Sequence, residues 1–141
     1  MPTEAEWELA ARGGLKSALF PWGDEPPDAS RANYAASGLK TTTPVGKYPP
    51  NGLGLFDMAG NVWEFTADEW HAYSSADSKN PVAGGDLFQS GDSYLKITTR
   101  RVIRGGSWGG APVNLWVEYR DSHPTDGAQE FVGFRCARSA F

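Results

Sequence analysis

Asp57 and Glu64 are two carboxylates seven residues apart, with the backbone carbonyls of Gly60 and Val62 between them. Such a set can wrap a hard cation, which takes roughly six to eight oxygen ligands at about 2.3–2.6 Å. The same residues read equally as a turn capped by Asp57 and an arginine partner for Glu64, so the spacing leaves two chemistries open. Further along, Trp116, Tyr119, His123 and Phe131 alternate with small residues. On a surface this is the composition of a binding face, where rigid aromatics give contact area and small residues give access; Trp116 and Phe131 also read as core residues. Thiol chemistry has one group to work with. Cys136 is the lone cysteine, which excludes an internal disulfide and a cysteine-rich zinc site and leaves the redox compartment undecided. It is expected to fill a small buried apolar position. His71 and His123 have no second His, Cys or carboxylate at ligand spacing and read as loop residues.

The elements that must hold these groups are short. Thr3 and Glu6 have the spacing of a capping box and Gly13-Gly14 stops the segment, so the spacing predicts a helix with Trp7, Leu9 and Ala10 facing the core. Residues 20–50 are rich in Pro, Gly, Ser, Thr and Asp without a period, and Phe20, Trp22 and Tyr34 are expected to pin them as an ordered loop region. Val62, Trp63 and Phe65 suit a strand. A polar, glycine-rich excursion covers 72–93, a strand with a basic cluster 94–103, an irregular segment 107–120 and a closing strand 131–137. This pattern implies an α+β architecture with few regular elements and long ordered loops, in a single domain over 1–141.

Charge narrows the partners. With 13 basic and 17 acidic residues the chain carries a net −4, so neither nucleic acid nor an anionic lipid surface is an expected partner; Arg100, Arg101 and Arg104 are a local exception. No apolar run approaches the roughly 20 residues of a spanning helix, and the first residues lack a basic-then-apolar leader pattern. The chain therefore reads as soluble, without membrane insertion.

Seven ordered motifs make the reading specific: Pro2-Thr3-Glu4-Ala5-Glu6-Trp7-Glu8, Phe20-Pro21-Trp22-Gly23, Thr43-Pro44-Val45-Gly46, Pro49-Pro50-Asn51-Gly52, Leu55 through Phe65, Arg104-Gly105-Gly106-Ser107-Trp108 and Gly133-Phe134-Arg135-Cys136-Ala137. In that order they resemble the formylglycine-generating enzyme, or sulfatase-modifying factor, family, and the match runs almost end to end. The resemblance implies the C-type lectin fold in that family's version, usually preceded by further strands and a helix. It also implies a structural calcium at Asp57, Gly60, Val62 and Glu64. A second calcium position would fall near Asn33, Tyr34, Ser37 and Leu39, where Ser37 replaces a carboxylate.

The enzymes of this family bind copper(I) with a cysteine pair shortly after the Arg-Gly-Gly-Ser motif, soft thiolates being the fitting ligands. The corresponding stretch here, 109–116, has no cysteine, so no copper and no enzymatic activity are expected. The chain is most similar to the variable proteins of diversity-generating retroelements, whose C-terminal region is rewritten at adenines. Their fixed frame is matched by residues 104–108, Pro112, Leu115, Arg120, Pro124 and 133–135, within a candidate variable region of 104–138. Between the frame residues stand Gly109, Gly110, Ala111, Val113, Asn114, Tyr119, Asp121, Ser122, His123, Asp126, Gly127 and Phe131, each reachable from an asparagine codon by changing adenines alone. Trp116 is reachable from an arginine codon, whereas Val117 and Glu118 fit the pattern less well. The resemblance thus implies a non-catalytic binding protein whose ligand is a protein or cell-surface epitope; the other reading is a cysteine-less paralogue serving as a regulatory or peptide-binding subunit, and an active oxidase is the weakest.

Overall fold

A computed structural model describes residues 1–72 and 99–138. The expected excursion over 72–93 and the first part of the strand expected over 94–103 fall almost wholly outside them. Helix α1 (Glu4–Arg12) starts as its cap dictates: the Glu6 backbone N–H donates to Thr3 Oγ1 at 3.2 Å and the Thr3 N–H donates to Glu6 Oε2 at 2.9 Å. Gly13, at φ 59°, ends it in the left-handed conformation. The inward stripe is Glu4, Trp7 and Ala11, with Glu8 and Ala10 half-buried beside it. Leu9, expected in the core, is instead 71% exposed. It sits two residues beyond Trp7, about 200° around the helix, and Trp7 decides which side faces inward.

Four strands form one sheet: β1 (Trp63–Glu69), β2 (Arg100–Arg104), β3 (Arg120–Pro124) and β4 (Val132–Phe134), in the spatial order β3-β2-β1-β4. Strand β2 runs antiparallel to both β1 and β3, while β4 runs parallel to β1. One-turn 3-10 helices occupy Ala35–Ser37 and Pro112–Leu115. This is the α+β class that the sequence implies. Two elements differ from expectation. The closing strand is three residues long, and β3 arises from an Arg-Asp-Ser-His-Pro run with no strand-like alternation of apolar residues. What makes β3 a strand is its partner, since every residue from Arg120 to Pro124 pairs with β2, and its proline sits at the end of an edge strand.

Register places Glu64, Arg104 and Arg120 in one cross-strand row, and Phe65, Ile103 and Asp121 in the next row on the opposite face. The first row lies under α1. Arg104 has no exposed side-chain surface; its Nη1 donates to Glu4 Oε1 at 2.7 Å, and its Nη2 donates to Glu8 Oε2 at 2.7 Å and to the Val117 carbonyl at 2.6 Å. Its guanidinium lies 5.4 Å from the centre of the Trp7 ring. Arg120 grips the other side of Glu4, donating from Nε to Oε1 at 2.9 Å and from Nη2 to Oε2 at 2.6 Å. Trp7 Nε1 donates to Glu64 Oε2 at 2.7 Å, so helix and sheet are joined by polar as well as apolar contacts.

Apolar burial comes in two small clusters, Phe20, Ala32, Tyr34, Ala59 and Leu115 in one and Trp7, Ala11, Met58 and Val117 in the other. The loops between are tied by glycine turns and amide hubs. Gly60, at φ 80°, passes so close to the Asn33 carbonyl that a β-carbon would lie 2.4 Å from it. Next to it, the Asn61 N–H donates to that same carbonyl at 2.8 Å and Asn61 Oδ1 accepts from Thr43 N at 2.9 Å. Cys136 departs from its expected burial. It is exposed, because β4 ends at Phe134 and the chain then leaves the sheet with Arg135 turned back onto Glu64. The thiol is left on an open depression that Trp7, Met58 and Arg138 also line.

Replacing Arg104 by Leu removes the donor shared by Glu4, Glu8 and Val117 and is expected to cost about 3–5 kcal/mol, read from the denaturant midpoint. Leu9→Glu, on the exposed side of α1, should change stability by less than about 0.5 kcal/mol. Similar losses from the two would contradict the burial pattern.

Candidate ligand-binding surface

Residues 104–124 alternate between what is fixed and what is shown. Arg104 through Ser107 are buried, and the Gly105-Gly106 turn, with φ of 91° and 75°, could not carry side chains without strain. The chain is then pinned from both sides: Trp108 N donates to the Asn61 carbonyl at 2.9 Å, Ala35 N to the Gly110 carbonyl at 3.0 Å and Val117 N to the Leu19 carbonyl at 2.7 Å. Asn114 Oδ1 accepts from Ala111 N at 2.8 Å and so closes the 3-10 turn on itself. Leu115 and Val117, each 1% exposed, insert into the two core clusters, while Trp116 between them rests half-exposed on the Phe20 cluster. Of the two residues that fit the codon pattern less well, Val117 is buried and Glu118 exposed.

None of the thirteen residues singled out for display is buried. Gly109, Ala111, Val113, Asp121 and Asp126 are exposed, and Gly110, Asn114, Trp116, Tyr119, Ser122, His123, Gly127 and Phe131 are partly so. Gly109 has open space around it, whereas Gly110 is tight, with a β-carbon placed 3.1 Å from both the Ser107 carbonyl and Asn114 Oδ1.

Tyr119, His123 and Phe131 come together over β1. The Tyr119 ring lies 6.0 Å from Trp63, and His123 stands edge-on to Phe65 at 5.8 Å and to Phe131 at 6.4 Å. His123 Nδ1 lies 2.8 Å from the Pro124 carbonyl, which fixes the ring. Gly109, Gly110 and Phe131 meet Trp63, Ser107 and Trp108 around one open depression of about 430 Å³. Trp63 and Phe65 are the contributors that sequence reasoning assigned only to a strand. Their alternate spacing in β1, which puts both rings on one side of the sheet, is the signal that could have found them.

The four candidate cation residues, Asp57, Gly60, Val62 and Glu64, line a second depression together with Arg135. Glu64 is already engaged there: Arg135 donates to it from Nε to Oε2 and from Nη2 to Oε1, both at 2.6 Å, and Trp7 takes Oε2 as well. Asp57 adopts φ 53° and its Oδ2 accepts from Gly46 N at 2.7 Å, while Oδ1 is buried without a hydrogen-bond partner among the described residues. Glu64 thus has the arginine partner of the turn-and-ion-pair reading. Ser37 donates to Asn33 Oδ1 at 2.8 Å and so occupies a group of the second suggested calcium position. Among the described residues no three His, Cys, Asp or Glu side chains cluster as a metal site. No described helix is long and apolar enough to cross a membrane.

Known proteins bear on this geometry. The sulfatase-modifying factor enzyme 1-like domain matches residues 1–140. Mouse formylglycine-generating enzyme is 40% identical over 111 residues, 67% of this chain and 30% of its own length. The Thermomonospora curvata formylglycine-generating enzyme is 38% identical over 160 residues, 97% of this chain and 48% of its own. Mouse inactive C-alpha-formylglycine-generating enzyme 2 is 36% identical over 155 residues, 99% of this chain and 43% of its own, so relatives described as enzymes and as inactive both resemble it. The chain spans about half or less of these relatives' length. Among solved structures, Treponema denticola variable protein 1 superposes with a TM-score of 0.73 at 32% identity, over 95% of this chain and 45% of that one. PvdO from Pseudomonas aeruginosa gives 0.75 at 34% identity, over 95% and 50%. The likeness to a variable protein agrees with the frame read between residues 104 and 135. With a family match spanning nearly every residue and a fold to go with it, the chain belongs to the sulfatase-modifying factor, or formylglycine-generating enzyme, family.

Proposed function

We propose that this protein is a non-catalytic binding module, a retroelement variable protein that displays exchangeable side chains from residues 104–138 to a protein or cell-surface ligand. One observation carries the reading: every residue between the frame positions that the resemblance marks as exchangeable reaches the surface, while frame residues Arg104, Ser107 and Leu115 are buried. A rigid frame with replaceable outward residues is what a diversified binder requires. Neither nucleic acid nor lipid is favoured as a ligand by an acidic chain. Two observations support the absence of catalysis. Residues 109–116 hold no thiol for copper, and Cys136 is not among the residues around the aromatic depression.

The paralogue reading draws support from the similarity to the inactive relative. Flanking DNA separates the two: a nearby reverse transcriptase gene and a near-copy of codons 104–138 are expected for a variable protein, and their absence from the locus favours the subunit. Turnover of a cysteine-containing peptide with added copper would overturn both.

The buried Asp57 Oδ1 supports a structural calcium, held with the Gly60 and Val62 carbonyls and Glu64. Such an ion would order loops with little regular backbone pairing. At a hundredfold excess over its Kd, calcium should stabilise the fold by about 2.7 kcal/mol and raise the thermal midpoint by several degrees over the chelated protein. An unchanged midpoint would reject the ion.

Exchangeability has its own test. A combined variant with Gly109→Asn, Ala111→Asn, Val113→Asn, Asp121→Asn and Asp126→Asn should melt within about 5 °C of the parent, since each position is exposed. Leu115→Asn alone should cost more than about 3 kcal/mol by opening the core and burying an unpaired amide. Collapse of the fivefold variant would refute the display arrangement.

A further inference from the structure

The depression between Trp63, Trp108 and Phe131 has a chemical preference of its own. Resting on the display reading, we infer that it receives a cationic side chain, arginine or lysine, from a basic protein ligand. Its walls are aromatic: Trp63 is buried at its base, Trp108 and Phe131 are half-exposed, and Tyr119 lies 6.0 Å from Trp63. Ring faces carry negative partial charge and attract a cation brought within about 6 Å. Ser107 lines the same depression at 4% exposure, and its hydroxyl makes no hydrogen bond among the described residues. A serine hydroxyl lining such a depression accepts a hydrogen bond from an arriving N–H donor.

The stretch that leads to Phe131 gives the sign of the charge. Residues 118–130 carry four exposed carboxylates, Glu118, Asp121, Asp126 and Glu130. The single guanidinium of that stretch, Arg120, is gripped by Glu4 at 2.6 and 2.9 Å and half-covers Trp70, so it is committed inward. A basic ligand is drawn to such an acidic stretch and an acidic one repelled. Between the two cations arginine fits better, because its planar group stacks on a tryptophan face while still offering donors to a hydroxyl. Trp63, Ser107 and Trp108 belong to the fixed part of the protein. The cationic preference therefore persists through changes at the displayed positions, which tune it through the number of carboxylates they carry.

The test is an NMR titration of the labelled full chain with three probes, N-acetyl-arginine methylamide, N-acetyl-norleucine methylamide and N-acetyl-glutamate methylamide. The Trp63 and Trp108 indole signals and the Ser107 amide signal are followed. The arginine probe should shift all three signals with a Kd in the millimolar range, binding about tenfold tighter than norleucine, and glutamate should leave them in place. Asp121→Asn with Asp126→Asn should weaken arginine binding about threefold at an unchanged thermal midpoint, and Ser107→Ala should weaken it by a similar factor. Equal binding of norleucine, preference for glutamate, or no shift at these signals with any probe would each overturn the inference. None of these results alters the midpoint of the fivefold variant, so failure of the cationic preference and failure of the display reading remain separate outcomes.

Discussion

A guanidinium sealed from water between a helix and a sheet is the constraint on which this molecule turns. Arg104 comes from the end of β2, its two carboxylate partners from α1, and its carbonyl partner from Val117. Stripping a charge of water costs several kcal/mol, and closely placed acceptors offset much of that cost. The helix, the strand and the segment after the 3-10 turn must therefore arrive together. Together with Leu115 and Val117 in the two apolar clusters of the described residues, this clamp fixes where residues 115–120 run.

Once those three pieces are locked, which residues face outward follows from geometry. Leu115 and Val117 point into separate clusters and hold Trp116 outward between them. Arg120, bonded to both oxygens of Glu4, starts β3 in register with β2, and the two-residue alternation of a strand brings Asp121 and His123 to the face opposite the helix. The Arg104 clamp lies on the helix face of the sheet, and Phe65, Asp121 and His123 lie on the other, where the buried Arg101 stands across from His123. Changes at the exposed Asp121 and Asp126 leave the Arg104 clamp untouched.

Much of this was legible in the sequence where local chemistry decides. The Thr3–Glu6 capping pair and the Gly13 stop fixed the limits of α1, and the ordered motifs gave the family's fold. Positions governed by distant partners were not legible. Leu9 reads as a core residue by type, yet α1 turns its carboxylates inward because Arg104 and Arg120 wait there, ninety or more residues away in the chain. Strand β3 is polar in composition and exists through pairing with β2 alone. Cys136 follows a strand too short to carry it into the core. At Asp57 and Glu64 the spacing leaves the partners open because Arg135, which settles on Glu64, comes from 71 residues downstream, while Asp57 Oδ1 has no hydrogen-bond partner among the described residues.

Relatives of this chain include proteins described as enzymes and others described as inactive, which shows how a single frame serves several ends. Here a buried polar clamp holds the frame, and exposed residues such as Gly109, Ala111, Val113, Asp121 and Asp126 lie outside it. The most direct measurement is a saturation scan of residues 104–135 scored by resistance to proteolysis of the folded chain. The account predicts intolerance at Arg104, Gly105, Gly106, Leu115, Val117 and Arg120, with broad tolerance at Gly109, Ala111, Val113, Asp121 and Asp126. Sensitivity at the second set matching that at the first would contradict it.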